Sequence, residues 1–133
     1  GDQQMKVLML NGSPRKDGNT SIAVLDRLFY SSHFDKTMKV GVSVVCARRG
    51  GCSATFDELN KYFTISNMPI ASSQYWNSIH GRAQGEAEMD EEGKQTMRVL
   101  ARNMVFLMKS IALGKEKFGL PETEERVATH FIR

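Results

Sequence analysis

Residues 5–20 read MKVLMLNGSPRKDGNT, and this stretch decides the expected fold. Val7, Leu8, Met9 and Leu10 form an unbroken apolar run, the pattern of a strand covered on both faces in a parallel sheet. Asn11-Gly12-Ser13-Pro14 ends the run, and Asn19 or Thr20 can cap a following helix. Between strand and helix stand Gly12, Gly18, Ser13 and the cations Arg15 and Lys16. Main-chain N–H groups at a helix start favour an anion, and hydroxyl and guanidinium donors add to that preference. The stretch reads as a phosphate-binding turn, with an ordinary strand-to-helix loop as the alternative. It lacks the Gly-Lys-Ser/Thr of a Walker loop and the G-x-G-x-x-G of a dinucleotide turn.

Outward from this turn, residues 21–32 carry a helical pattern. Ile22, Leu25, Leu28 and Phe29 share one face, and Asp26 and Arg27 point outward. Residues 40–46 (VGVSVVC) are a second buried-strand candidate. They run into Ala47-Arg48-Arg49-Gly50-Gly51, a second cationic glycine loop. Residues 55–63 are predicted helical from the spacing of Phe56, Leu59 and Phe63, with Thr55 and Glu58 as a capping box. Asp57 and Glu58 fall on solvated positions, and Asn67-Met68-Pro69 closes the unit. Residues 70–76 are a third strand candidate, more polar and therefore nearer a sheet edge, and residues 77–85 read as loop.

The acidic run Glu86, Glu88, Asp90, Glu91 and Glu92 suits a helix N-terminus. Met97, Leu100, Ala101, Met104, Leu107, Met108 and Ile111 then keep helical period to an end near Gly114. That methionine-rich stripe reads as core and not as a cofactor contact. The charged tail, residues 115–133, is expected to pack on a partner or to fray.

At 133 residues the chain is expected to be one domain, residues 1–133. Apolar content of 41% and charged content of 25% match an ordinary soluble protein. No apolar run approaches the roughly 18 residues that span a bilayer, and no secretory leader is expected, so the expected location is cytoplasmic and without membrane. A net charge of +3 is mild, and no basic, aromatic-interleaved stretch points to nucleic acid. Cys46 and Cys52 lack metal-ligand spacing, so no metal site is expected and both read as reduced thiols.

Strands alternating with helices predict an α/β chain with a parallel sheet. Such sheets bind ligands beyond the C-terminal ends of their strands, where both cationic glycine loops fall. The strand followed by G-S-P-R-x-x-G-N-T resembles the FMN phosphate loop of the NADPH-dependent FMN reductase family, in the flavodoxin-like superfamily. VGVSVVCARRGGCSATFDELNKYFTISNMPIASSQYWNSIHG resembles the second half of that family, and D-E-E-G-x-x-T-M-R-x-L-x-R-N-M its last helix. The resemblance implies a flavodoxin-like three-layer sandwich, FMN as cofactor and NADPH or NADH as hydride donor. It implies a small-molecule electron acceptor and a homodimer or higher homo-oligomer. Ser13, Arg15, Gly18, Asn19 and Thr20 would hold the FMN phosphate, and Ala47, Arg48, Arg49, Gly50 and Gly51 would approach its ring. The chain departs from the family between Thr20 and Leu25, where roughly two strand–helix units are absent. The sheet is accordingly expected to be reduced to about three strands.

FMN brings its own hydride chemistry, so no catalytic acid or base is required of the chain, and none stands out. His33, His80 and His130 are isolated in sequence and read as surface or capping residues. Tyr75 and Trp76 could stack on a flavin, but an aromatic pair ending a strand is more often core or interface. From spacing alone, Arg48 and Arg49 read equally as a solvated turn or as cations stabilising a reduced, anionic flavin; the resemblance favours the second. Two other functions stay open: an electron carrier, which the positive charge disfavours, and a degenerate binding module without flavin turnover. Arg15→Ala is expected to weaken FMN binding by about 1.5–3 kcal/mol, as for a hydrogen bond to a charged group. Unchanged affinity in a fluorescence titration would remove the loop from the site.

Overall fold

The computed structural model describes residues 25–132. The expected first strand (residues 7–10) and the phosphate-loop residues Ser13, Arg15, Gly18, Asn19 and Thr20 lie outside the described residues. Within them, β1 (Val45–Ala47) and β2 (Ser78–His80) pair in parallel, and α1 (Cys52–Ile65) makes the crossover between them. Val45 faces Ser78, Cys46 faces Ile79 and Ala47 faces His80. A 3-10 turn (Glu86–Met89) leads into α2 (Glu91–Phe118), and a π-helical turn (Arg27–Ser31) precedes β1. The chain is thus of mixed α/β type with a parallel sheet, which among the described residues has two strands.

The β1 region is held over more than its three ladder residues. Gly41 forms a parallel bridge with Ile70, donating to the Pro69 carbonyl at 2.8 Å while its own carbonyl accepts from Ala71 at 3.0 Å. Val45 N–H then donates to the Asn77 carbonyl at 2.9 Å. Residues 71–77 lie between these two pairings, so the third strand candidate begins as expected at Ile70 but leaves the ladder at once. The ladder resumes inside residues 77–85, which the sequence had as loop. The correction has a physical cause. Ser72, Ser73 and Gln74 offer little apolar surface to bury, and two of them bond to α2 instead: Ser73 Oγ donates to the Thr96 carbonyl and the Ser72 carbonyl accepts from Asn103, both at 2.8 Å.

Both helices extend beyond their predicted bounds. α1 begins at Cys52, because Gly51 takes the left-handed conformation (φ 92°) and turns the chain directly into the first turn. Thr55 is consequently an interior residue, donating its N–H to Gly51 O at 3.1 Å, and the expected capping box does not form. α2 runs through Gly114 to Phe118 and ends at Gly119 (φ 77°), with Lys115 and Lys117 placed favourably at its negative end. Asp90 is its N-cap, accepting from Gly93 N–H at 2.9 Å.

The apolar spacing places the packing faces as expected. Phe56, Leu59 and Phe63 of α1 are half-buried and Asp57 and Glu58 exposed. Phe29 meets Tyr62 and Phe63 at 5.6 and 5.7 Å between ring centres, and the Tyr62 hydroxyl donates to Asp26 at 2.6 Å. That bond pushes the Tyr62 phenol up to about 12. The α2 stripe is covered less than a core stripe would be. Leu100 is buried and Met97, Met104 and Met108 are half-buried, whereas Phe106 and Leu113 on the other side are exposed. Residues 119–132 form no helix or strand and are exposed.

Gly41 lies against the Phe63 ring of α1. A methyl group there would lie 2.5–2.9 Å from the Phe63 ring, which Phe29 backs edge-on. Gly41→Ala is expected to destabilise the chain by about 1–2 kcal/mol through overpacking. Urea denaturation reads this directly, and an unshifted midpoint would mean that the ring yields freely.

Candidate functional site

Parallel pairing puts the C-terminal ends of β1 and β2 on one edge, and the chemistry of the described residues gathers there. β1 delivers Ala47 and then Arg48, Arg49 and Gly50, all three exposed. Among the described residues neither arginine makes an ion pair. Space beside the loop is open at its glycines, since a Cβ atom at Gly50 or Gly51 would meet nothing within 4 Å. The first turn of α1 follows with no side-chain cap, which leaves its first N–H groups without a side-chain acceptor among the described residues.

β2 ends in His80. Its main-chain N–H donates to Asp90 Oδ2 at 2.7 Å, and its ring Nδ1 lies 3.7 Å from the same oxygen. The other ring nitrogen, Nε2, is 3.8 Å from Cys52 Sγ at the start of α1. His80 is therefore not isolated, as its position in the sequence had suggested. It stands between a thiol and a carboxylate brought in by two helices. The clue in the sequence was positional, because Cys52 closely follows one parallel strand and His80 ends the other, but placing the second of these strands at residues 70–76 moved His80 away from a strand end. His33 and His130 are exposed. Cys46 and Cys52 are both free thiols, Cys46 exposed and Cys52 buried.

Two opposing influences act on these groups. Hydrogen bonds from the N–H groups of Gly93 and His80 hold the Asp90 carboxyl below its usual range, with the His80 ring adding to the effect. Burial pushes the Cys52 thiol up, and Cys46 nearby adds to this. Beside the His80 ring a cleft of about 140 Å³ opens, lined by Tyr75, Ser78, Asp90, Glu92 and Thr96. Tyr75 and Trp76 stack on each other at 5.0 Å and are more than half exposed, on the segment that leaves the ladder.

The structure thus brings Ala47, Arg48, Arg49, Gly50 and Gly51 to the sheet edge expected for ligand contact. Among the described residues no three His, Cys, Asp or Glu side chains converge as metal ligands, and no helix is long and apolar enough to cross a membrane. Comparison with models of known families, with curated proteins and with solved structures gives no match for this chain.

The depressed Asp90 carboxyl contributes stability that is present above the ordinary carboxylate range and lost as pH falls through its lower, folded-state value. Asp90→Asn is expected to lower the thermal midpoint at neutral pH, with the gap from the unaltered chain closing below about pH 4. A gap that persists at low pH would assign the loss to packing and not to the carboxylate.

Proposed function

We propose that this chain is an FMN-binding oxidoreductase of flavodoxin-like fold. In this reading it takes hydride from NADPH or NADH and passes electrons to flavin or another small-molecule acceptor in the cytoplasm. One observation carries it: Arg48 and Arg49, exposed and without an ion pair among the described residues, end a parallel strand on the edge where such sheets receive ligands. The open space over Gly50 and Gly51 fits the approach of a flat ring to the main chain.

FMN, when bound, supplies the hydride and electron chemistry. The chain's part is to bind and tune. Ser13, Arg15, Gly18, Asn19 and Thr20 would hold the phosphate. Arg48 and Arg49 would favour the reduced, anionic cofactor over the neutral oxidised form, which helps only because the stabilisation is unequal.

Self-association belongs to the same reading, as a homodimer or higher. Tyr75, Trp76, Phe106 and Leu113 leave apolar surface uncovered on the excursion and on α2. Light scattering at micromolar concentration checks this, and a monomer would remove it.

An absorption spectrum of the purified, FMN-reconstituted protein tests the cofactor. Flavin bands that persist through gel filtration are expected, and a colourless eluate would leave only a binding module. Arg49→Gln or Arg48→Gln should lower the flavin midpoint potential and slow reduction by NADPH while FMN stays bound. A potential that stays put in both variants would make the loop a solvated turn.

A further inference from the structure

Cys52 at the start of α1, His80 at the end of β2 and Asp90 at the N-cap of α2 meet around one imidazole ring. Sγ of Cys52 lies 3.8 Å from Nε2 of His80, and Nδ1 of the same ring lies 3.7 Å from Oδ2 of Asp90. Asp90 is itself fixed, accepting from the N–H groups of His80 and Gly93. A thiol at one ring nitrogen and an anchored carboxylate at the other is the order of nucleophile, base and orienting group that activates a thiol. We propose that Cys52 is a peroxide-reactive thiol, with His80 accepting its proton and Asp90 holding the ring. This does not depend on flavin binding.

The uncapped first turn of α1, where Cys52 is the first residue, favours negative charge developing on the sulfur. Burial opposes it, so Cys52 rests as a thiol and needs the imidazole to remove its proton during reaction. Burial also selects the partner. Cys52 is 7% exposed, which shuts out bulky or charged electrophiles and admits a small neutral one such as hydrogen peroxide. In the step, a sulfur electron pair attacks one peroxide oxygen, forming the S–O bond as the O–O bond breaks. Sulfur loses two electrons and peroxide gains them. The thiol proton passes through His80 Nε2 to the departing hydroxide, which leaves as water, and Cys52 becomes a sulfenic acid.

Cys46 is the internal control, being exposed and without an imidazole partner among the described residues. The full chain is treated with hydrogen peroxide for timed intervals, and the peroxide is removed with catalase. The chain is then unfolded in dimedone, so that sulfenic acid at each cysteine is labelled regardless of burial and counted by mass spectrometry. At pH 7 Cys52 is expected to label faster than Cys46. His80→Gln should slow Cys52 roughly 100-fold, the low end of the gain from a positioned general base, and leave Cys46 unchanged. Oxidation at Cys52 should thus depend on the His80 ring and not on exposure. The groups facing that ring are Asp90 and Glu92 from the start of α2 and Cys52 from α1. Faster labelling of Cys46, or a Cys52 rate indifferent to His80→Gln, would overturn the assignment. The comparison of Cys52 with Cys46 in the unaltered chain stands even if the variant fails to fold.

Discussion

Asn77 makes a mismatch in the sheet possible. Gly41 faces Ile70, yet Val45, four residues on, faces Ser78, eight residues on. The second strand must shed the excess and return to the ladder in register. Asn77 brings it back: its carbonyl accepts from Val45 N–H at 2.9 Å, and its side-chain amide donates to the Ser43 carbonyl at 3.0 Å. The Ser43 hydroxyl donates in turn to Asn60 of α1 at 2.7 Å. One residue, 1% exposed, thus joins both strands through its main chain and its side chain and, through Ser43, the crossover helix. Its Oδ1 is buried without a protein partner among the described residues. A buried amide of this kind specifies one register, because any slip leaves more polar atoms unpaired.

Everything chemical in the described residues depends on that register. Pairing Ala47 with His80 sets the end of β1 beside the end of β2, so the arginine loop, the start of α1 and the His80 ring share one edge. Asp90 then ties the same edge to α2, because a single carboxylate caps the helix and accepts from the strand end. The hydrophobic contribution is modest by comparison. Val45, Ala71, Leu100 and Cys52 are the buried apolar residues among those described, so polar bonds carry an unusual share of the specification.

What the sequence disclosed follows the kind of signal each element carries. The helical spacing of Phe56, Leu59 and Phe63 and the long period of α2 are repeating apolar patterns, and they placed their helices well. The β-branched run of residues 40–46 became a strand only at its end, Val45–Ala47, after a single bridge at Gly41, and Val44 and Cys46 are exposed because only one face of so short a ladder is covered. Parallel pairing followed from the alternation of strand and helix. β2 was misplaced because three residues are too few to show a period, and because Ile70 opens a stretch that pairs once and departs. The helix ends were displaced by glycine conformation: Gly51 and Gly119 adopt positive φ and Gly114 does not, a choice that tertiary context makes. The arginine loop was legible as composition at a strand end. The meeting of Cys52, His80 and Asp90 was not, since it joins residues far apart in sequence through a register set by Asn77.

The four-residue excess has an optical consequence. Trp76 is the only tryptophan in the chain, and it stands on the segment between the two pairings, more than half exposed and 5.0 Å from the ring of Tyr75. Indole emission from this protein therefore originates at one surface bulge and not in the core, with Tyr75 placed to feed it by energy transfer. Its colour and polarisation register what happens on that face, whether a solute settles against it or another molecule covers it, while staying comparatively blind to loosening of the interior. The chain carries a native fluorophore for its own surface.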